Sequence, residues 1–181
     1  MKKHIIGLTG EMGSGKSTVA RYLTEKYGAV SHKFSTPLRD ILDRLRLEQS
    51  RKNLGELSTI LRKTYGEDLF AKVVSQEVSR DPHDVIVVDG VRRLGDIRSL
   101  HELPEFKLLY IKGSLESRYD RITKRTQNVD DKGKTFEIFQ KEQEQEAEIE
   151  IHELEVHADI VIKNDGSIEE LFGAIDKVMS E

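Results

Sequence analysis

A three-layer α/β fold around a five-stranded parallel sheet is predicted by three observations. Short apolar runs alternate with segments of helical spacing along the whole chain, the pattern of a parallel sheet covered on both faces. Val85-Ile86-Val87-Val88 is continuously apolar and β-branched, as a strand buried on both sides requires. Residues 7–18, Gly-Leu-Thr-Gly-Glu-Met-Gly-Ser-Gly-Lys-Ser-Thr, make a glycine-rich turn between the first apolar run and the first helical pattern. At 181 residues, 36% hydrophobic and 34% charged, the chain suits one domain with a proper core.

Taken in order, the run Ile5–Leu8 forms the first strand and Ser17–Lys26 the first helix. A weaker strand follows near Ala29–Phe34. Residues 37–80 then hold three helical patterns, Pro37–Leu45, Leu54–Tyr65 and Leu69–Ser79, a long excursion before the third strand at Val85–Val88. Next come a helix over Gly95–Leu103, a strand at Leu108–Ile111 and a helix over Leu115–Lys124. The stretch 126–135 is polar and carries the helix breaker Gly133, so a mobile cover is expected there. A helix over Phe136–Leu154, a strand at Ile160–Ile162 and a helix over Ile168–Met179 complete the chain.

Composition excludes several classes of function. No cysteine is present, which removes disulfides, thiolate zinc sites and a cysteine nucleophile. The formal net charge of −4 disfavours a general nucleic-acid binder. The chain enters a core strand after two lysines, so no signal peptide is expected, and no apolar run approaches the roughly 20 residues of a membrane span. A cytoplasmic protein is expected, as a monomer or homodimer.

Gly10 to Ser17 satisfies G-x-x-x-x-G-K-[ST], the phosphate-binding P-loop, and lies between a strand and a helix as that motif requires. Backbone N–H groups and the helix dipole there favour an anion. A P-loop NTPase fold follows, with Gly10, Glu11, Met12, Gly13, Ser14, Gly15, Lys16, Ser17 and Thr18 on ATP. Lys16 is expected on the β- and γ-phosphates and the Ser17 hydroxyl on Mg²⁺. Asp89, directly after the Val85–Val88 strand, is the expected second metal-holding residue. Arg92 is the expected cleft cation, with Arg93 as its competitor. Arg118, Arg121 and Arg125 fall on one helical face, where their mutual repulsion calls for an anion.

These motifs resemble the nucleoside-monophosphate-kinase branch of P-loop proteins, with dephospho-CoA kinases and the small archaeal and bacterial kinases related to them most similar. Gly7 through Thr18 resembles the opening of dephospho-CoA kinases, and Ala158–Ser167 their last strand and the loop beside the adenine, which implies Asn164 and Gly166 on ATP. Asp89-Gly90-Val91-Arg92-Arg93 resembles the Asp-Gly-x-x-Arg segment of adenylate kinases. Asp120-Arg121-Ile122-x-x-Arg125 resembles the approach to their lid, which implies Arg121 and Arg125 on transferring phosphate. Phe34–Arg39 stands where such kinases place an arginine on the acceptor phosphate, which implies Arg39. Arg62, beside the Leu54, Leu57 and Leu61 stripe, is expected to border the same cleft. One kinase domain is expected: a core of residues 1–36, 81–125 and 157–181, an acceptor-binding insertion at 37–80 and a lid region at 126–156.

The expected reaction moves the γ-phosphoryl of ATP, with Mg²⁺, to a small phosphorylated acceptor, a (deoxy)nucleoside monophosphate. An ionised phosphate acceptor needs no strong base, and Ser35 and Thr36 stand where dephospho-CoA kinases carry a carboxylate. Dephospho-CoA is the alternative acceptor. A reading from another class is an ATPase or GTPase switch acting on a protein or RNA. Against a guanine site, Ile162-Lys163-Asn164-Asp165 lacks the first Asn of Asn-Lys-x-Asp, and Gly90 follows Asp89 too soon for Asp-x-x-Gly.

Overall fold

The structure, a computed structural model, describes residues 3–124, 135–143 and 146–180. Strands β1 (His4–Thr9), β2 (Val30–Lys33), β3 (Val85–Asp89), β4 (Phe106–Lys112) and β5 (Ile160–Lys163) form one sheet in the order β2-β3-β1-β4-β5. All four pairings are parallel, so the fold class read from the sequence is the one observed. The register sets Leu8 beside Asp89 and Thr9 beside Tyr110. The carboxylate of Asp89 therefore stands level with the end of the strand that feeds the glycine-rich turn.

Side chains alternate across the strands and split the core in two. Ile6, Leu8, Val87 and Ile111 face α1 (Lys16–Tyr27) and α9 (Ile168–Ser180). Ile5, Ile86, Val88 and Tyr110 face α2 (Thr36–Arg44), α4 (Leu69–Arg80), α5 (Leu94–Arg98) and α8 (Glu146–Glu153). The sheet between these helices is the middle layer of three. Among the described residues no helix is long and apolar enough to cross a membrane.

Three element expectations need correction. The excursion 37–80 is not one outlying unit, because Phe70, Ala71, Val74 and Val78 of α4 are buried in the sheet core. α2 reaches the same core through Leu38, and α3 (Arg51–Tyr65) packs against it through the partly buried Leu54, Leu57 and Leu61, α3 starting early because the Ser50 hydroxyl caps it by accepting from Asn53 N at 3.2 Å. The helix expected over Gly95–Leu103 stops at Arg98 and continues as turns towards Pro104. The helix expected over Phe136–Leu154 is divided into α7 (Phe136–Glu142), α8 and a 3₁₀ turn at Leu154–His157. Its buried residues serve two surfaces: Phe139 packs beside Tyr119 of α6 (Leu115–Lys124), whereas Ile151 and Leu154 enter the sheet core. The last residues assigned to a lid region are therefore core. The stretch 126–134 lies outside the described residues.

The helix that leaves the P-loop is pinned to the C-terminal helix by one carboxylate. Asp176 accepts from Tyr22 Oη at 2.7 Å, Tyr27 Oη at 2.8 Å and Lys26 Nζ at 2.7 Å, and Tyr22 stacks on Phe172 with centroids 3.8 Å apart. Hydrogen bonds from Lys26, then Tyr22 and Tyr27, lower the Asp176 pKa from 3.8 to about 2. A carboxyl depressed on folding stabilises the fold above its unfolded value and loses that contribution as pH falls through its folded value. Asp176→Asn is expected to be less stable than wild type in urea at about pH 7, with the gap closing as pH falls from about 4 to about 2. A gap independent of pH would remove the ionised carboxylate from the account.

Candidate active site

β1 enters the glycine-rich loop at Gly10 (φ 132), and α1 leaves it at Gly15 (φ 111). A side chain at Gly10 would strike the Ile111 carbonyl oxygen, and one at Gly15 the Asn164 amide, so both positions require glycine. Ser14 is fully buried; its N–H donates to Glu11 O at 3.2 Å, and its carbonyl accepts from Asn164 Nδ2 at 2.7 Å. Lys16 Nζ reaches across the loop to Gly10 O at 2.5 Å and Glu11 O at 2.8 Å. Thr18 N–H donates to Gly15 O at 3.0 Å in the first turn of α1. Residues 10–18 thus form one concave backbone arch, ringed by β4, α6 and the segment after β5.

The Ser17 hydroxyl is exposed, and the Asp89 carboxylate is half-buried at the end of β3. Neither side chain makes a hydrogen bond or ion pair among the described residues. A hydroxyl and a carboxylate are hard oxygen donors, and a pair left unengaged suits Mg²⁺, which binds to few protein ligands and keeps several waters.

After Asp89 the chain turns over the sheet and is held by two contacts that the sequence did not reveal. Thr9 Oγ1 donates to Val91 O at 2.9 Å, tying the loop to the end of β1. Asp96 Oδ2 accepts from Arg92 N at 3.0 Å and Arg93 N at 3.1 Å. The other oxygen of Asp96 accepts from Arg62 Nη2 at 2.6 Å, in a pair whose side chains are only 6% and 2% exposed. Arg62 also donates to the Glu67 carbonyl and stacks over Phe70 at 5.0 Å. Arg62 was expected to border an open cleft; it is instead a buried counter-ion that anchors α3 beneath the 89–93 loop. Desolvation decides this, because a guanidinium that deep must meet a carboxylate.

The competition between Arg92 and Arg93 has a structural answer. Arg93 pairs with Glu67 at 3.4 Å and Glu150 at 3.5 Å. Arg92 is exposed, and its guanidinium has no partner among the described residues. Arg39 is also exposed and donates to Gln49 Oε1 at 3.0 Å.

The arginine face of α6 departs most from expectation. Arg118 points inward, 4% exposed, and pairs with Glu11 Oε1 at 3.0 Å, so its charge is met by a carboxylate of the P-loop itself. Arg121 bridges the same loop and the segment after β5, donating to Ser14 O at 3.5 Å and Asn164 O at 2.5 Å. Arg125 lies outside the described residues. Asn164, expected beside the adenine, directs its amide under the P-loop at Ser14, while Gly166 stays exposed in the following turn. A carboxylate at Glu11, inside a phosphate loop, was the readable sign that a buried cation would be needed.

The family model described as an AAA domain matches residues 6–162. A UPF0200 protein of Staphylothermus marinus is 31% identical over 179 residues, covering 95% of this chain and 89% of that protein. A UPF0200 protein of Saccharolobus solfataricus is 30% identical over 169 residues, covering 92% and 87%. Among solved structures, a shikimate kinase from Bacteroides thetaiotaomicron superposes with a TM-score of 0.65 at 16% identity, covering 98% of this chain and 99% of that one. TT1252 from Thermus thermophilus superposes with a TM-score of 0.62 at 22% identity, covering 99% and 98%. At such identities the structural likeness establishes the α/β P-loop NTPase fold, and the domain match implies nucleotide binding at the loop.

Proposed function

Because this chain belongs to the AAA-domain family and to the UPF0200 proteins, we propose that its P-loop serves an ATP-dependent phosphotransferase whose acceptor is a (deoxy)nucleoside monophosphate. One observation carries this reading: beside the P-loop, the 89–93 loop presents a carboxylate and an exposed guanidinium that are both unengaged among the described residues, while Arg93 is tied down. A phosphate-bearing acceptor has a use for the second group, since guanidinium binds phosphate in a bidentate fork.

In this reading the loop amides and Lys16 hold the β- and γ-phosphates. Phosphate oxygens are stronger acceptors than the two carbonyls that Lys16 meets in the arch, so its ammonium moves to them. Ser17 and Asp89 would hold Mg²⁺, which neutralises phosphate charge when bound. Arg92, aided by Arg39 from α2, holds the acceptor phosphate in line with the γ-phosphorus. An acceptor oxygen then forms the new P–O bond as the bond to the β-phosphate oxygen breaks, and ADP leaves. Little proton transfer is asked of the protein, so positioning and charge do most of the work. Arg121 would steady the moving phosphoryl from the α6 side, and the resemblance implies the same role for Arg125.

The test is an ADP-release screen over ribo- and deoxyribonucleoside monophosphates, with dephospho-CoA and shikimate as hydroxyl acceptors. At least one monophosphate should raise ADP release and appear as the diphosphate. Arg92→Ala should then raise acceptor KM by about ten- to a hundredfold, the worth of a charge-assisted hydrogen bond, with ATP KM little changed. Steady ADP release unaffected by any monophosphate would overturn the reading and favour an ATPase with a macromolecular partner.

A further inference from the structure

Glu11 is a poor residue for a loop that cradles phosphate. Its carboxylate sits within the arch, 17% exposed, where a nucleotide brings several more negative charges. Left alone it would repel them, and the low dielectric of a half-buried site magnifies that repulsion. Arg118 answers this at close range. Besides Glu11, its guanidinium donates to Met12 O at 3.2 Å, Gly113 O at 3.1 Å and Gln143 Oε1 at 2.6 Å, and lies over the Phe139 ring at 5.7 Å. Its backbone also seats the loop, since a side chain on Gly13 would come within 2.7 Å of Arg118 O. Every face of this guanidinium is engaged by protein, so it is not a phosphate ligand.

We propose that Arg118 is a positioning residue that makes the phosphate loop electrically usable, cancelling the charge of Glu11 from beneath while fixing the Met12 carbonyl. The pair has a second consequence: through Gln143 and Phe139 the same guanidinium ties α7 to the loop, so the stem of α7 and the nucleotide seat share one anchor. The inference rests on the nucleotide-binding part of the function proposed above and not on the acceptor. Its test reads nucleotide affinity, and failure of the acceptor reading would leave it standing.

The experiment measures ADP affinity by titration calorimetry for wild type, Glu11→Gln, Arg118→Met and the double variant, each checked by thermal melting. Charge cancellation gives a pattern of signs. Arg118→Met leaves a bare carboxylate and should weaken ADP by about ten- to a hundredfold, within the range of coupled neighbouring sites. Glu11→Gln leaves a surplus cation and should bind ADP at least as tightly as wild type. The double variant should recover most of what Arg118→Met loses. If Arg118 were only a brace, all three variants would bind ADP more weakly and the double variant would be the weakest; that outcome overturns the proposal. Glu11→Gln is isosteric and decides the matter even if Arg118→Met does not fold, because weakened ADP binding in that variant alone contradicts charge cancellation.

Discussion

Replacing Lys16 by alanine is expected to lower ADP release by about a hundredfold or more, the loss that follows removal of one preorganised donor to a developing charge. The ammonium stands over the arch with Gly10 O and Glu11 O as acceptors, and its stem is half-buried at the mouth of the loop rather than in either half of the core. A melting temperature near that of wild type should accompany the kinetic loss. Lys16→Arg is expected to fail nearly as badly, since a planar fork does not fit a seat shaped for a compact ammonium. A folded Lys16→Ala protein with normal turnover would contradict phosphate chemistry at this loop.

The largest effect on stability is expected at Asp96. Its two oxygens serve different masters, Arg62 on one side and the N–H groups of Arg92 and Arg93 on the other. Asp96→Ala strands a buried guanidinium and two partly buried donors, which should cost about 3–5 kcal/mol. For a chain of this size that corresponds to a fall in melting temperature on the order of 10 °C. Arg62→Met should cost less, because Asp96 keeps its two backbone donors and methionine fills the space above Phe70. Urea unfolding of both variants measures the difference, and a loss below about 1 kcal/mol for Asp96→Ala would mean that solvent reaches the pair. Under the proposed function, Asp96→Ala should also impair acceptor use, since Arg92 would lose the anchor of its backbone.

Local features carried the sheet and the phosphate loop. Ile5–Leu8, Val85–Val88 and Leu108–Ile111 declare buried strands by composition alone, and the loop announces itself by its glycines and its lysine. Arginines were less legible. Arg62 and Arg118 look like surface residues within their own helices, because their partners lie far along the chain: Arg62 bonds Asp96 across 34 positions and Arg118 bonds Met12 across 106. Helical periodicity can say which face is apolar, but not where a distant carboxylate will arrive. The division between α7 and α8 is hidden in the sequence for a similar reason, since Phe139 and Ile151 are both apolar and only the fold assigns them to different neighbours.

The position of β1 in the sheet has a consequence for how this protein comes into being. The first strand is the central one, and its neighbours are Val85–Asp89 and Phe106–Tyr110. The loop it feeds is shaped by Ile111, Arg118 and Asn164, which are made later still. A growing chain therefore carries its phosphate motif as an unshaped tether through most of synthesis. Such distant pairings place the entropy of closing long loops before the contacts that reward it, which slows folding. The loop offers nucleotide nothing to hold until the last strand is in place, and from then on nucleotide stabilises only the finished molecule. For this topology, ligand binding waits on completion of the fold.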